Sequence, residues 1–201
     1  MVLTKIRTTS KYQLFLKNEK MKFVKYLVFT FAIFCVIAFL LPKDKYVNRT
    51  IEINQEIDFV FDQVNTLKNW ENWSAWSKSD TSALYTYSKK TSGIGAWQEW
   101  KSNVIGEGKL TIVESKNNQL ITTNLDFYNQ GEGDEKWEFS SRKGITTVSW
   151  TYHADLGYNP LARWIGLFLD SMLGQSLDQS LQSLKAYCQN AIIEQKIDVE
   201  I

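Results

Sequence analysis

The chain has 201 residues, which favours one principal domain. Its 23 Lys and Arg nearly balance 22 Asp and Glu, which excludes a generally basic nucleic-acid binder. With 44% apolar residues it is not a disordered chain, and one His and two Cys are too few for a structural zinc site or a disulfide scaffold.

Positive charge comes first along the chain. Lys5, Arg7, Lys11, Lys17, Lys20, Lys22 and Lys25 precede Pro42, with Glu19 the only acid there. Residues 26–41 (YLVFTFAIFCVIAFLL) carry no charge, and only Thr30 is conventionally polar. Counted from Phe23, the run gives roughly 28 Å of helix, enough to span a bilayer if Lys25 snorkels to the headgroups. Pro42 stops it. The bias of positive charge therefore predicts a basic cytoplasmic tail over residues 1–22, a transmembrane anchor over 23–42, and a domain outside the cytoplasm over 43–201. Removing seven basic groups and one acid from the totals of 23 and 22 leaves that domain 16 and 21, a net charge of −5. A cleaved signal peptide is the competing reading. It fits less well, because the run outlasts an ordinary h-region and ends in FLLPKDKY, bulky where a peptidase needs small residues. Met21 opens MKFVKYLVFTF, which reads as a start in its own right; residues 1–20 are either a tail or an upstream extension, and the topology is the same.

Residues 46–54 (YVNRTIEIN) alternate Val47, Arg49, Ile51 and Ile53 against polar neighbours, the period of a strand. Asn54 is placed to cap a short helix with Glu56 and Asp58 in its first turn. Ile57, Val60, Phe61 and Val64 supply its helical spacing, and a second helical piece covers 67–73. Period-2 segments follow at 83–88, 95–101, 108–114, 120–127, 135–141 and 145–156. Gly and polar turns such as Asn117-Asn118 and Lys143-Gly144 divide them, so hairpins and an antiparallel meander are expected. Asn159-Pro160 opens a helical segment over 161–172, and Gly174 marks a bend or break. Leu173, Leu177, Leu181, Leu184, Cys188 and Ala191 then form one apolar stripe of a long closing helix. The order β, α, α, six β, long α is that of an α+β fold.

Strand parity sorts the rings. Val148, Trp150 and Tyr152 share a face, opposite Thr147, Ser149, Thr151 and His153. Trp137 and Phe139 face together, as do Ile121, Thr123, Leu125 and Phe127, while Trp97 parts from Trp100. So many large, rigid rings on one sheet face leave a cavity beneath the helix. His153 falls on the opposite face near a strand end, Cys188 reads as a small buried hydrophobe, and Cys35 lies within the apolar segment. Glu99, Glu107, Glu114, Asp126 and Glu138 read as solvent-face charges. No P-loop, dinucleotide fingerprint, HExxH or GxSxG motif occurs.

Several stretches resemble the START-like superfamily called SRPBCC, the polyketide cyclase/dehydrase and lipid transport proteins, in particular its bacterial subgroup with one N-terminal membrane helix. They are VNRTIEINQEIDFVFDQVNTLKNWENWSAW, GIGAWQEW, GEGKLTIVES, TTVSWTY and DSMLGQSLDQSLQSLK. The chain departs from similar sequences at Asn54-Gln55, where they usually have Pro, and at Ser180-Leu181, where they often have Gly-Leu. The resemblance implies a helix-grip fold, seven antiparallel strands around a long C-terminal helix, with a ligand cavity between them. It implies no shared catalytic motif, so no catalytic residue, metal or cofactor is assigned. The expected cavity lining combines Trp100, Ile112, Thr123, Leu125, Trp137, Phe139, Val148, Trp150 and Tyr152 from the sheet with Leu173, Leu177, Leu181 and Leu184 from the helix. At Ile112 the strand offers two apolar choices, the other being Val113. Thr123 and Tyr152 are the expected polar groups. The function read from this is membrane-anchored binding of a hydrophobic small molecule or lipid, without nucleic acid and with any protein partner left open. The alternatives are a cyclase or dehydrase using a buried acid or tyrosine, and a scaffold docking a partner or membrane through exposed Trp73 and Trp76.

Overall fold

Seven strands pair in the order β1-β7-β6-β5-β4-β3-β2, every neighbour antiparallel. They are β1 (Asp44–Ile53), β2 (Leu84–Tyr87), β3 (Trp97–Lys101), β4 (Glu107–Lys116), β5 (Leu120–Asp126), β6 (Glu132–Arg142) and β7 (Ile145–Asp155). The computed structural model describes residues 2–128 and 131–199, with side chains between 20 and 191. The side chains of Lys5, Arg7, Lys11 and Lys17 in the basic tail lie outside the described residues. The helices are α1 (Val2–Leu40), α2 (Ile57–Asn65), α3 (Trp70–Trp73), α4 (Ala75–Ser79), α5 (Pro160–Ile165) and α6 (Leu169–Val199). Single turns of 3-10 helix at Leu67–Asn69 and Gly166–Phe168 lead into α3 and α6.

The meander follows from its turns. Lys143 and Gly144 both hold positive φ, the conformation that matches strand twist in a two-residue hairpin, and Asn118 holds φ +58° in the β4–β5 turn. A bulge between Ile112 and Glu114 breaks the β4 register. It leaves Ile112 buried and Val113 exposed.

Two sequence expectations shift. Asn54 does not cap α2, whose flanking residue is Glu56 without a side-chain cap. Gln55 takes the local role instead, its side-chain oxygen accepting the Glu56 N–H at 2.9 Å. The break after α5 falls at Gly166, not Gly174. A Cβ on Gly166 would run into the Leu156 side chain. Gly174 stays inside α6 because the Arg49 guanidinium occupies the place of its missing side chain. That guanidinium pairs with Asp170 at 2.8 Å and Asp178 at 2.9 Å and so holds α6 across β1.

The chain divides into two compact units: residues up to Lys43 with Gly157–Ile165, and Asp44–Leu156 with the chain from Gly166 onward. In the first, α1 has one stretch, Lys20–Leu40, long and apolar enough to cross a membrane. Asn159 caps α5, its side-chain oxygen accepting from the N–H groups of Leu161 and Ala162, as the Asn-Pro signal predicts. Arg163, buried, donates to the carbonyls of Phe39 at 3.1 Å, Leu41 at 3.2 Å and Ala38 at 3.4 Å. It thereby adds donors where a helix end leaves carbonyls without intrahelical partners; the Ala38 carbonyl also accepts the Leu41 N–H at 3.2 Å. Trp164 stacks on Phe34, centroids 5.1 Å apart.

In the second unit the core lies between the sheet and α6. Trp70, Trp73, Trp137 and Trp150 cluster there, with Trp137 stacked on Trp150 at 4.0 Å and Trp70 and Trp73 meeting Trp137 edge to face. Such pairs add about 0.5–1.5 kcal/mol each beyond area burial.

Candidate functional site

Alternation along each strand aims a row of side chains at α6. On β6 the inward residues are Gly133, Glu135, Trp137 and Phe139; on β7 they include Val148 and Trp150. The α2 residues Phe61 and Val64, with Trp70 and Trp73, fill the space over one end of these rows. Over the other end the filling stops, and a cavity of about 160 Å³ remains.

Its walls come from six strands and three helices. Tyr85, Gln98, Trp100, Leu110, Leu125, Phe127, Glu135 and Tyr152 line it from the sheet, Trp70, Ser74, Trp76 and Ser77 from α3, α4 and their junction, and Leu173 and Leu177 from α6. Ile105 adds a loop contact. Two glycines make room for the largest rings. A Cβ on Gly108 would stand 2.5 Å from the Trp100 ring, and one on Gly133 would stand 2.6 Å from the Tyr152 hydroxyl. Real side chains do not approach so closely, so the rings lie over bare backbone.

Of the residues expected at the lining, Trp100, Leu125, Tyr152, Leu173 and Leu177 are there. Ile112, Trp137, Phe139, Val148, Trp150, Leu181 and Leu184 are not; they belong to the solid core beside the cavity. Parity assigns a side chain to a face but not to a depth along the strand, and the tryptophans of α3 decide where packing ends. Thr123 is also buried beside it and reaches the site through a hydrogen bond, its hydroxyl donating to Glu135 Oε2 at 2.9 Å. Trp73 is fully buried, its indole N–H bonded to the Gln63 carbonyl, and Trp76 faces the cavity. The pair therefore forms no exposed docking patch. Trp97 turns outward, as its parity against Trp100 requires, and lies under the Lys109 ammonium at 4.5 Å.

Glu135 is the lining residue whose chemistry stands out. Counting by two from Trp137 places it on the core face, a signal present in the sequence but set against the rarity of buried carboxylates. The same count from Trp100 and Ile112 finds Gln98 and Leu110. Burial pushes the Glu135 carboxyl up to about 7. Thr123 and the indole N–H groups of Trp150 and Trp137 oppose that shift by favouring the charged form. Those two N–H groups are buried without a well-formed hydrogen bond, and both lean toward the carboxyl. Tyr152, paired with Glu135 in the β6–β7 register, is raised above the usual phenol range by its own burial and by the charges of Glu135 and Asp134.

The remaining candidates for chemistry are inert or outward-facing. Burial pushes the Cys188 thiol up to about 12, so it stays protonated and is no nucleophile. His153 lies on the outer face, 3.3 Å from Asp44 and stacked on Tyr46.

Residues 46–189 match the family model for polyketide cyclase/dehydrase and lipid transport. The chain belongs to this family. None of the curated proteins matches it. A protein of unknown function from Staphylococcus aureus shares the fold of this family member with a TM-score of 0.56 at 8% identity, over 75% of this chain and 98% of its own. A Thermobifida fusca protein gives 0.54 at 17% identity over 70% and 90%. A Helicobacter pylori protein gives 0.53 at 10% over 71% and 87%. At such identities the likeness establishes the helix-grip fold alone. Family membership carries hydrophobic-ligand binding as a property of the group.

Proposed function

We propose that this cyclase and lipid-transport family member is a membrane-tethered binding module that takes a hydrophobic small molecule, or one end of a lipid, into the cavity between sheet and α6. The cavity carries the reading: a space walled by Trp70, Trp76, Trp100, Leu125, Phe127, Leu173 and Leu177, with Glu135, Tyr152 and Gln98 as polar groups. That is the composition of small-molecule sites in general. At about 160 Å³ it matches one aromatic ring or the end of an acyl chain, since a cavity near 150 Å³ accommodates benzene. Burying ~150 Å² of such a ligand contributes ~4 kcal/mol, a millimolar affinity before ordering costs, so a larger lipid requires the walls to open.

The tether is the Lys20–Leu40 stretch of α1, with the charge bias putting its N-terminal end in the cytoplasm and residues 43–201 outside. Tyr158, exposed on the segment that packs on α1, is a residue type that suits the headgroup layer. A second reading, proton transfer on a bound molecule, is favoured by Glu135, whose carboxyl titrates near neutrality inside the cavity.

The test uses the full chain in nanodiscs, with empty nanodiscs as control. Toluene is titrated while the indole N–H resonances are followed. Wild type shows saturable shifts, and Leu177→Trp, which fills the cavity at an overpacking cost of ~1–3 kcal/mol, loses them. Equal shifts in both, with thermal melts showing both folded, would reject the cavity as a binding site.

A further inference from the structure

We propose that the cavity selects an uncharged ligand bearing a hydroxyl or amide N–H, and that Glu135 accepts the hydrogen bond from that group and excludes anions. The inference rests on the cavity being a binding site and adds the chemical class of what it binds.

Among the described residues no Lys, Arg or His lines the cavity, while Glu135 does. Its register partner Tyr152 on β7 brings a phenol, and Tyr85 on β2 brings another; α6 contributes only Leu173 and Leu177. No element facing Glu135 therefore supplies a countercharge. Two like charges in one low-dielectric pocket repel strongly. A fatty-acid carboxylate or a sulfonate entering this space would meet Glu135 with nothing to offset it. The Glu135 side chain is also under-used as an acceptor. Thr123 donates to Oε2, whereas a carboxylate has about four acceptor positions. An ionised carboxylate accepts and does not donate, so a ligand hydroxyl or N–H is the complement. The buried indole N–H groups of Trp137 and Trp150 lean toward the same carboxyl and offset part of the cost that burial places on its charge.

The experiment compares three ring-sized molecules that do not titrate near neutrality: benzyl alcohol, toluene and benzenesulfonate. Each is titrated into the full chain in nanodiscs at about pH 8 and about pH 6, reading indole N–H shifts. At the higher pH benzyl alcohol binds at least ~10-fold more tightly than benzenesulfonate, and more tightly than toluene. Lowering the pH protonates Glu135 and narrows the gap to the sulfonate. Glu135→Gln, nearly isosteric, closes it by a similar factor and removes the pH dependence. The wild-type comparison decides alone if that variant does not fold. If the alcohol and the sulfonate bind equally while toluene binds, the charge selection is wrong and the cavity reading survives. If none of the three binds, both fail.

Discussion

A single carboxyl sets the most measurable property of this core. Glu135 sits where a leucine would pack, and burial lifts its carboxyl to about 7 against an ordinary 4.5. The folded state thus favours the protonated form. The stability this gives is fully present below about pH 4.5 and is lost as pH rises through about 7. The full swing is about 3 kcal/mol for a shift of this size. Glu135→Gln should remove it, leaving a variant whose melting temperature near pH 8 exceeds that of wild type and changes little toward pH 5. Thermal melts at the two pH values check this; parallel slopes for both proteins would mean that Glu135 is hydrated in solution. Gly133 works at the same scale: with no Cβ, it lets Tyr152 lie close enough to Glu135 for the two to share one pocket.

Among the elements, α5 shows how a short helix is held. Six residues do not form a stable helix alone. Asn159 supplies its N-cap, and Arg163 ties it to the C-terminal carbonyls of α1 while its Nε donates to Gly157. A cation at a helix C-terminus is also favoured by the helix dipole. Arg163→Ala should take the side-chain donor from the Phe39 and Leu41 carbonyls, at ~1–3 kcal/mol for each that is shielded from water, while the Ala38 carbonyl keeps the Leu41 N–H. Arg163→Lys should rescue little, since one ammonium cannot reproduce a planar fork over several acceptors. Limited proteolysis after the exposed Tyr158 reads the effect: cleavage should accelerate about 10-fold for each ~1.4 kcal/mol lost, and an unchanged rate in both variants would refute the clasp.

For the whole molecule, the family core begins at residue 46 and the apolar helix precedes it. Deleting residues 1–42 should yield a soluble domain with one cooperative melt, because Val47, Ile51, Trp137, Trp150, Leu177 and Leu181 form a core without α1. Arg163 would then lose its acceptors at Ala38, Phe39 and Leu41 and keep only Gly157, so amide exchange over 160–165 should quicken in the truncated chain. A truncated chain without a cooperative transition would make α1 part of the folding unit. Topology is testable separately. A phosphatase fused after Ile201 should be active, as it folds only outside the cytoplasm; activity of a cytoplasm-dependent reporter there would reverse the orientation.

The features legible in the residues alone are periodic or local. Alternation marked the strands and the inward rings, 3.6-residue spacing marked the α6 stripe, Asn159-Pro160 marked the start of α5, and the uncharged run marked a candidate span. Each depends on neighbours a few residues away, so the chain reveals it directly. Trp100, Leu125, Tyr152, Leu173 and Leu177 were legible as inward-facing for that reason. The tertiary structure alone decided where along those rows the core ends. That limit is set by Trp70 and Trp73, which arrive on the short helix α3, more than sixty residues before Trp137, and pack edge to face against it. It also decided that Gly174 belongs inside α6, since the group filling its space is Arg49 from β1. Glu135 stands between the two cases: parity points it inward, but only the packed tryptophans and the unfilled space beside them strip it of water and give it a titration near neutrality.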